Sequence, residues 1–314
     1  AVAVGRRIPH YVVDAEDDIP ASARDVIAAR IDRLAPPARA ILRAAAVMGE
    51  TVRIRLLEEI ADGPDVSAMV EALVHDGFMI RRDGGAEAAT ELGFARGLVR
   101  EVALAQLPDE QRTALHLRLG QLLASRFFAG RDEPPAVIAE HFEAGGHLPG
   151  AAAFWLRAGW LALTASDFAT AAAHFSRSLS QESGAPGPGP ASARRYEALR
   201  GREVAERTLG LVDAHPNDLV ELERMAEGPD RRADVAIRRG LRALATGDAG
   251  AALTAARSAE AASTDGGSRF WLAQAHLLRA DALSALGRIP DALTAAASAR
   301  SVFVAIGAVR GEAQ

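Results

Sequence analysis

Glu140, His141 and Glu143 stand close to His147, and imidazole with carboxylate is the donor set of a transition-metal centre. The spacing argues against that use. A helix offers two ligands on one face in the pattern His-Glu-x-x-His, which these residues lack, so they read as structural or surface groups. Asp14, Glu16, Asp17 and Asp18 have the chemistry of an acid–base pair, but a run of like charge is ordinarily a solvated loop. No Gly-x-Ser-x-Gly elbow presents a serine nucleophile. The 36 basic residues are all arginine. A P-loop needs a lysine at the β- and γ-phosphates and a kinase core needs its strand lysine, so both ATP sites are excluded from this stretch. With 0 cysteines, disulfides and thiolate metal sites are excluded too. The expectation is a chain with no catalytic residue, no metal and no cofactor of its own.

The elements that carry these residues are helices. Alanine, the best helix former, is in large excess, aromatic residues are 5%, and runs of strand-favouring residues are few. No apolar run approaches the ~18 residues of a membrane span, and no signal peptide opens the chain. We expect no membrane contact and a cytoplasmic location. The first residue is Ala1 rather than Met, which reads as a fragment of a longer polypeptide. The net charge of −5 lacks the basic excess of a nucleic-acid binder.

Four stretches follow from the pattern. Residues 1–20, with the acidic run closed by Pro20, read as the tail of a preceding domain or a linker. In 21–105, Ser22 is a plausible N-cap, and Val26, Ile27, Ile31 and Leu34 follow at helical spacing. Pro36-Pro37 restarts the chain into a second helix with Ile41, Leu42 and Val47. A third helix holds Ile54, Leu56, Leu57 and Ile60 and stops at Gly63-Pro64, and a fourth runs from Asp65 to Asp76. Phe78-Met79-Ile80, the tip Asp83-Gly84-Gly85, then Leu92 and Phe94 read as a two-stranded hairpin. Short helices followed by a β-hairpin wing are the plan of a winged helix. Residues 106–150 form a helical arm, with one helix over Gln111–Phe128 and another after Pro134-Pro135. Residues 151–314 are repeats.

The repeats announce themselves by an echo. Ala252-Leu253-Thr254-Ala255-Ala256 returns as Ala292-Leu293-Thr294-Ala295-Ala296, an offset of 40 residues. A fixed period in this range marks stacked helix pairs. The tetratricopeptide pattern wants a large residue at position 4, small residues at 8, 20 and 27, and an aromatic at 24. Trp155, Gly159, Ala171, Phe175 and Ser178 meet it in a first pair. Gly240, Ala252 and Ala259, then Ala280, Ala292 and Ala299, take the small positions of two later pairs. A degenerate pair over about 194–227 fills the gap, its first helix carrying Tyr196, Leu199, Val204 and Leu209 and its second Leu219, Leu222 and Met225. The Gly184–Pro190 run before it is a linker rather than a phosphate nest, because proline has no N–H to offer. The fold class is therefore mainly α: a winged-helix domain, then an α-solenoid of about four tetratricopeptide-like pairs.

Solenoids offer long surfaces to partners. Trp160 falls at position 9, which faces the concave groove, and with Gln274 and Asp281 it is a candidate protein-binding residue, the alternative for Trp160 being core packing. In the winged helix, the helix that would enter a DNA groove carries Asp65, Glu71 and Asp76 and no arginine, which repels phosphate. Arg81 and Arg82 on the wing are the favourable feature for DNA.

The run Ile19-Pro20-Ala21-Ser22-Ala23-Arg24-Asp25-Val26-Ile27-Ala28-Ala29-Arg30-Ile31-Asp32-Arg33-Leu34 resembles the segment after the ATPase core of signal-transduction ATPases with numerous domains, the maltose-regulator-like bacterial ATPases among them. Ala44–Gly49 and Phe94–Ala103 resemble that family's winged-helix landmarks, and Leu115–Leu119 and Ala139–Phe142 its helical arm. The resemblance implies a bacterial regulatory module whose repeats sense a protein, peptide or inducer. It implies a winged helix folded over a nucleotide pocket upstream, with ATP or ADP bound in the parent chain. A histidine commonly stands where this chain has Arg96, the nucleotide-sensing candidate. Partners would be the upstream ATPase and output domains of the same polypeptide: kinase, cyclase or transcription factor. Two other readings remain, a transcription regulator whose winged helix touches DNA and a small-molecule sensor with a pocket in the repeat groove.

Overall fold

The computed structural model describes residues 21–61, 65–82, 91–182, 189–211 and 214–307. The acidic run Asp14–Asp18, the stop at Gly63-Pro64, the hairpin tip at Asp83 and most of the Gly184–Pro190 linker lie outside the described residues. Fifteen helices and one small sheet are seen among the described residues. They divide into two compact units, one of residues 1–125 with 144–146, the other of 126–143 with 147–314. The residues assigned to a helical arm, 106–150, are shared between them.

The first unit begins with α1 (Ala21–Asp32) and α2 (Pro36–Met48). Pro36 and Pro37 fall in the first turn of α2, where a missing N–H leaves no helical bond unmade. Ile41, Leu42, Ala45 and Ala46 of α2 are buried. After Gly49, β1 (Thr51–Arg53) leads into α3 (Ile54–Ile60) and α4 (Val66–His75). The Asp65 carboxylate accepts a hydrogen bond from the Ala68 N–H at 3.1 Å and caps α4. Then come β2 (Met79–Arg81), β3 (Glu91–Phe94), α5 (Gly97–Ala105) and the long α6 (Asp109–Phe128), which continues into the second unit.

The expected two-stranded hairpin is a three-stranded antiparallel sheet in the order β1-β3-β2. Val52 stands opposite Leu92, and both are fully buried. A three-residue strand is too short to display alternation, so the sequence pattern gave no separate signal for it. The other strand pair is where the alternation placed it, Met79 opposite Phe94 and Ile80 opposite Gly93.

The second unit holds α7 (Pro135–Ala144) and four helix pairs. These are α8 (Leu148–Thr164) with α9 (Phe168–Ser180), α10 (Pro190–Thr208) with α11 (Asn217–Arg224), α12 (Pro229–Ala245) with α13 (Ala249–Gly266), and α14 (Arg269–Ala285) with α15 (Ile289–Ala305). The first, third and fourth pairs turn at a left-handed residue: Ser166, Gly247 and Gly287, with φ of 61°, 84° and 74°. In two of these turns the next residue caps the second helix, Asp167 to the Thr170 N–H at 3.1 Å and Asp248 to the Ala251 N–H at 2.8 Å.

The small positions are required by close approach. A Cβ on Gly159 would stand 2.6 Å from the Phe175 ring, and one on Gly240 would overlap the Leu278 side chain. Ala171, Ala252, Ala259 and Ala299 are fully buried. The degenerate pair is present. Its first helix starts at Pro190 rather than near Arg194, because proline is pre-organised for a first helical position, and it ends before Leu209, which caps it.

Candidate functional site

The helices scatter the sequence-derived candidates rather than gather them. Trp160 on α8 is half-buried, edge-on to Phe175 with ring centroids 5.3 Å apart, and the Arg200 guanidinium stands 5.9 Å from its ring centre. Part of the indole is therefore core and part is surface. Gln274, half-buried, and Asp281, exposed, share α14, with two whole helix pairs between it and the pair of Trp160. Neighbouring protein displaces water from around Asp281 and raises its pKa from the usual carboxylate value, although the residue remains accessible. Arg96 precedes α5 in extended conformation, its side chain exposed and making no cap hydrogen bond.

Each group in the Glu140–His147 cluster has a separate structural engagement. Glu140 pairs with Arg177 at 3.8 Å, and Glu143 accepts a hydrogen bond from the Trp155 indole at 2.9 Å. The His147 Nδ1 accepts from the Gly150 N–H at 3.1 Å, capping α8, while His141 is buried. Among the described residues no group of three or more His, Asp or Glu is placed to hold a metal. Trp155 is fully buried, with His174 stacked on it at 5.0 Å and the Arg177 guanidinium 4.5 Å from its ring. Burial, then the positive charge of Arg177, lowers the His174 pKa, and Asp167 opposes this weakly.

Sequence reasoning missed the densest polar feature, which joins α10, α11 and α12. Arg195 holds Glu221 with two hydrogen bonds, of 2.6 and 3.0 Å, and Arg202 holds Asp218 with two, of 2.8 and 2.7 Å. Arg238 bridges Asp234 at 3.0 Å and Glu203 at 2.7 Å, and the Tyr196 hydroxyl donates to Asp234 at 3.0 Å. Burial and then the Asp234 charge push the Tyr196 phenol upward, so it stays protonated and donating. The carboxylates of this network are held by arginine, a use that fixes helices rather than moves protons. The stretch from Arg194 to Arg207 is dense in Arg and Glu, but that composition does not tell which groups pair.

Each unit also has a hollow. In the first unit a groove of about 510 Å³ has Ile41, Ile60, Val66, Met69 and Leu115 among its walls and Arg39, Arg43 and Arg118 beside them. In the second unit a shallower hollow of about 300 Å³ is bordered by Glu223, Arg232, Arg239 and Ser258. On the first unit's sheet, Arg81 is engaged by Glu71 of α4. No helix of the described residues is long and apolar enough to cross a membrane.

Fold and site together define a mainly helical chain: a small α/β unit, then a stack of tetratricopeptide-like helix pairs. No family model and no curated protein matches the chain. It is similar to a solved structure, that of a signal-transduction ATPase with numerous domains carrying a tetratricopeptide repeat sensor, from Pyrococcus horikoshii. The identity is 11% and the TM-score 0.38, over 94% of this chain and 54% of that one, so the chain spans about half that protein's length.

Proposed function

We propose that this chain is a non-catalytic sensor module of a larger bacterial, cytoplasmic signalling ATPase, binding a protein or peptide partner through its helix pairs. The observation that carries the reading is the stack α8–α15. Its close crossings are filled by Gly159, Ala171, Gly240, Ala252 and Ala259, and the charged network that joins its second pair to α12 has its carboxylates held by arginine. Such a stack presents an extended surface to partners. The first unit would relay binding. Its order of two helices, a strand, two helices, two strands and a helix, with β1 beside β3, supports a winged helix over residues 21–105. Arg96, exposed ahead of α5, is the candidate contact to a nucleotide held by an upstream domain of the parent. ATP or ADP, and the kinase, cyclase or transcription-factor output, would belong to the rest of that polypeptide. The relay requires that the partner bind the open and closed parent with different affinity.

The pairing of Arg81 with Glu71 weighs against DNA contact by β2. The test combines three measurements on the purified chain. A partner captured by the wild type and lost from Trp160→Ala and Asp281→Arg supports the proposal. ATP hydrolysis or phosphoryl transfer by the chain itself overturns it. Salt-sensitive retardation of DNA would replace it with the transcription-regulator reading.

A further inference from the structure

The repeated pentapeptide supplies an internal template for what sits on its outer face. In α13 that face is covered. Leu253 packs against Ala280 and Leu283 of α14 and Ala292 and Ala295 of α15. Ala256 is fully buried beside Ala275 and Leu278 of α14. One turn further on, Glu260 accepts hydrogen bonds from His276 at 2.9 Å and Arg279 at 3.2 Å, both on α14.

Among the described residues the same face of α15 is uncovered. Leu293, the equivalent of Leu253, is 67% exposed, and Ile289 and Val304 on the same stripe are 50% and 55% exposed. Ile289, Leu293, Ala297, Arg300 and Val304 follow at spacings of three and four, which places them on one side of the helix. The stripe exposes an isoleucine, a leucine and a valine, with a single charge among them. That charge is reversed relative to the template, since Arg300 stands where α13 has Glu260.

We propose that the Ile289–Val304 face of α15 is a docking surface for an acidic amphipathic helix. The occupant would lie across α15 as α14 lies across α13, its small and leucine side chains on Leu293 and Ala296. It would carry carboxylates on Arg300 where α14 carries His276 and Arg279. The assignment rests on the covered and uncovered copies of one sequence, and it stands whether or not the sensor reading holds.

The probe is a synthetic peptide of the α14 sequence, residues 269–285, bearing His276→Glu and Arg279→Glu. Its control is the unaltered α14 peptide. Fluorescence anisotropy with the 314-residue chain should show the acidic peptide binding on the order of tenfold tighter than the control, about one ion pair's worth of discrimination. Arg300→Glu should reverse the preference, and Leu293→Asp should remove binding of both. Because Leu293 and Arg300 are exposed, both variants should melt at the wild-type temperature. Equal affinity for the two peptides, or binding of neither, overturns the proposal. Self-association in sedimentation velocity that Leu293→Asp abolishes also overturns it, by placing a second copy on this face.

Discussion

Phe175 is wedged between two glycines, and that contact sets the sign of a substitution. Gly159 on α8 and Gly201 on α10 both face the ring so closely that a Cβ on either would collide with it. An alanine in an exposed helix would gain about 1 kcal/mol over glycine. Here the overlap reverses the effect, and Gly201→Ala should destabilise by about 1–3 kcal/mol in urea unfolding. The double variant Gly201→Ala with Phe175→Leu should recover part of that loss by making room. His174 offers a second test at this level. Burial and Arg177 hold its pKa below the usual 6.5, so on acidification the unfolded chain takes up the proton first. Its contribution to stability is therefore complete above pH 6.5 and is lost as the pH falls from there through the folded value. Melting followed between pH of about 7.5 and about 5 should fall less steeply for His174→Gln than for the wild type.

Among the elements, α11 depends most on charge. This eight-residue helix buries only Leu219 and Leu222 as apolar anchors, and Asp218 and Glu221 on it are gripped by Arg202 and Arg195 of α10. Arg202 and Asp218 are each about nine-tenths shielded, so removing one partner strands the other's charge. Arg202→Met should cost about 3–5 kcal/mol, and adding Asp218→Leu should return most of it, measured as a double-mutant cycle by chemical denaturation. This pair of helices also shows where the sequence could be read. Its existence followed from the interval between Ala171 and Ala252, and Leu199 and Leu222 lie in its core. Gly201 was not singled out, although Gly159, Gly201, Gly240 and Ala280 succeed one another at 42, 39 and 40 residues, because a variable linker blurs such a period. The network was not legible, because an arginine's partner is chosen by tertiary geometry rather than by spacing. For the same reason β1 escaped notice, since three residues acquire strand form from the neighbour they pair with. Of the candidate contacts, Trp160 divides itself between core and surface, which position 9 alone does not reveal.

At the level of the whole chain, each unit owns a separate set of buried side chains. Leu42, Leu57, Leu73 and Leu92 are fully buried in the first, and Trp155, Phe175, Leu199 and Leu222 are at most 1% exposed in the second. Truncating a leucine in either core removes contacts that its neighbours do not refill, at about 2–5 kcal/mol. Two cores of this kind predict that Leu57→Ala and Leu199→Ala act on different transitions in differential scanning calorimetry. The first should lower the melting of residues 21–125 by several degrees and leave the helix pairs unmoved, and the second should do the reverse. Limited proteolysis at the shifted temperature would show which segment has opened. If both substitutions displaced one common transition equally, the chain would unfold as a single cooperative body. Any coupling between the first unit and the helix pairs would then have to work through a shared core instead of through two units with stabilities of their own.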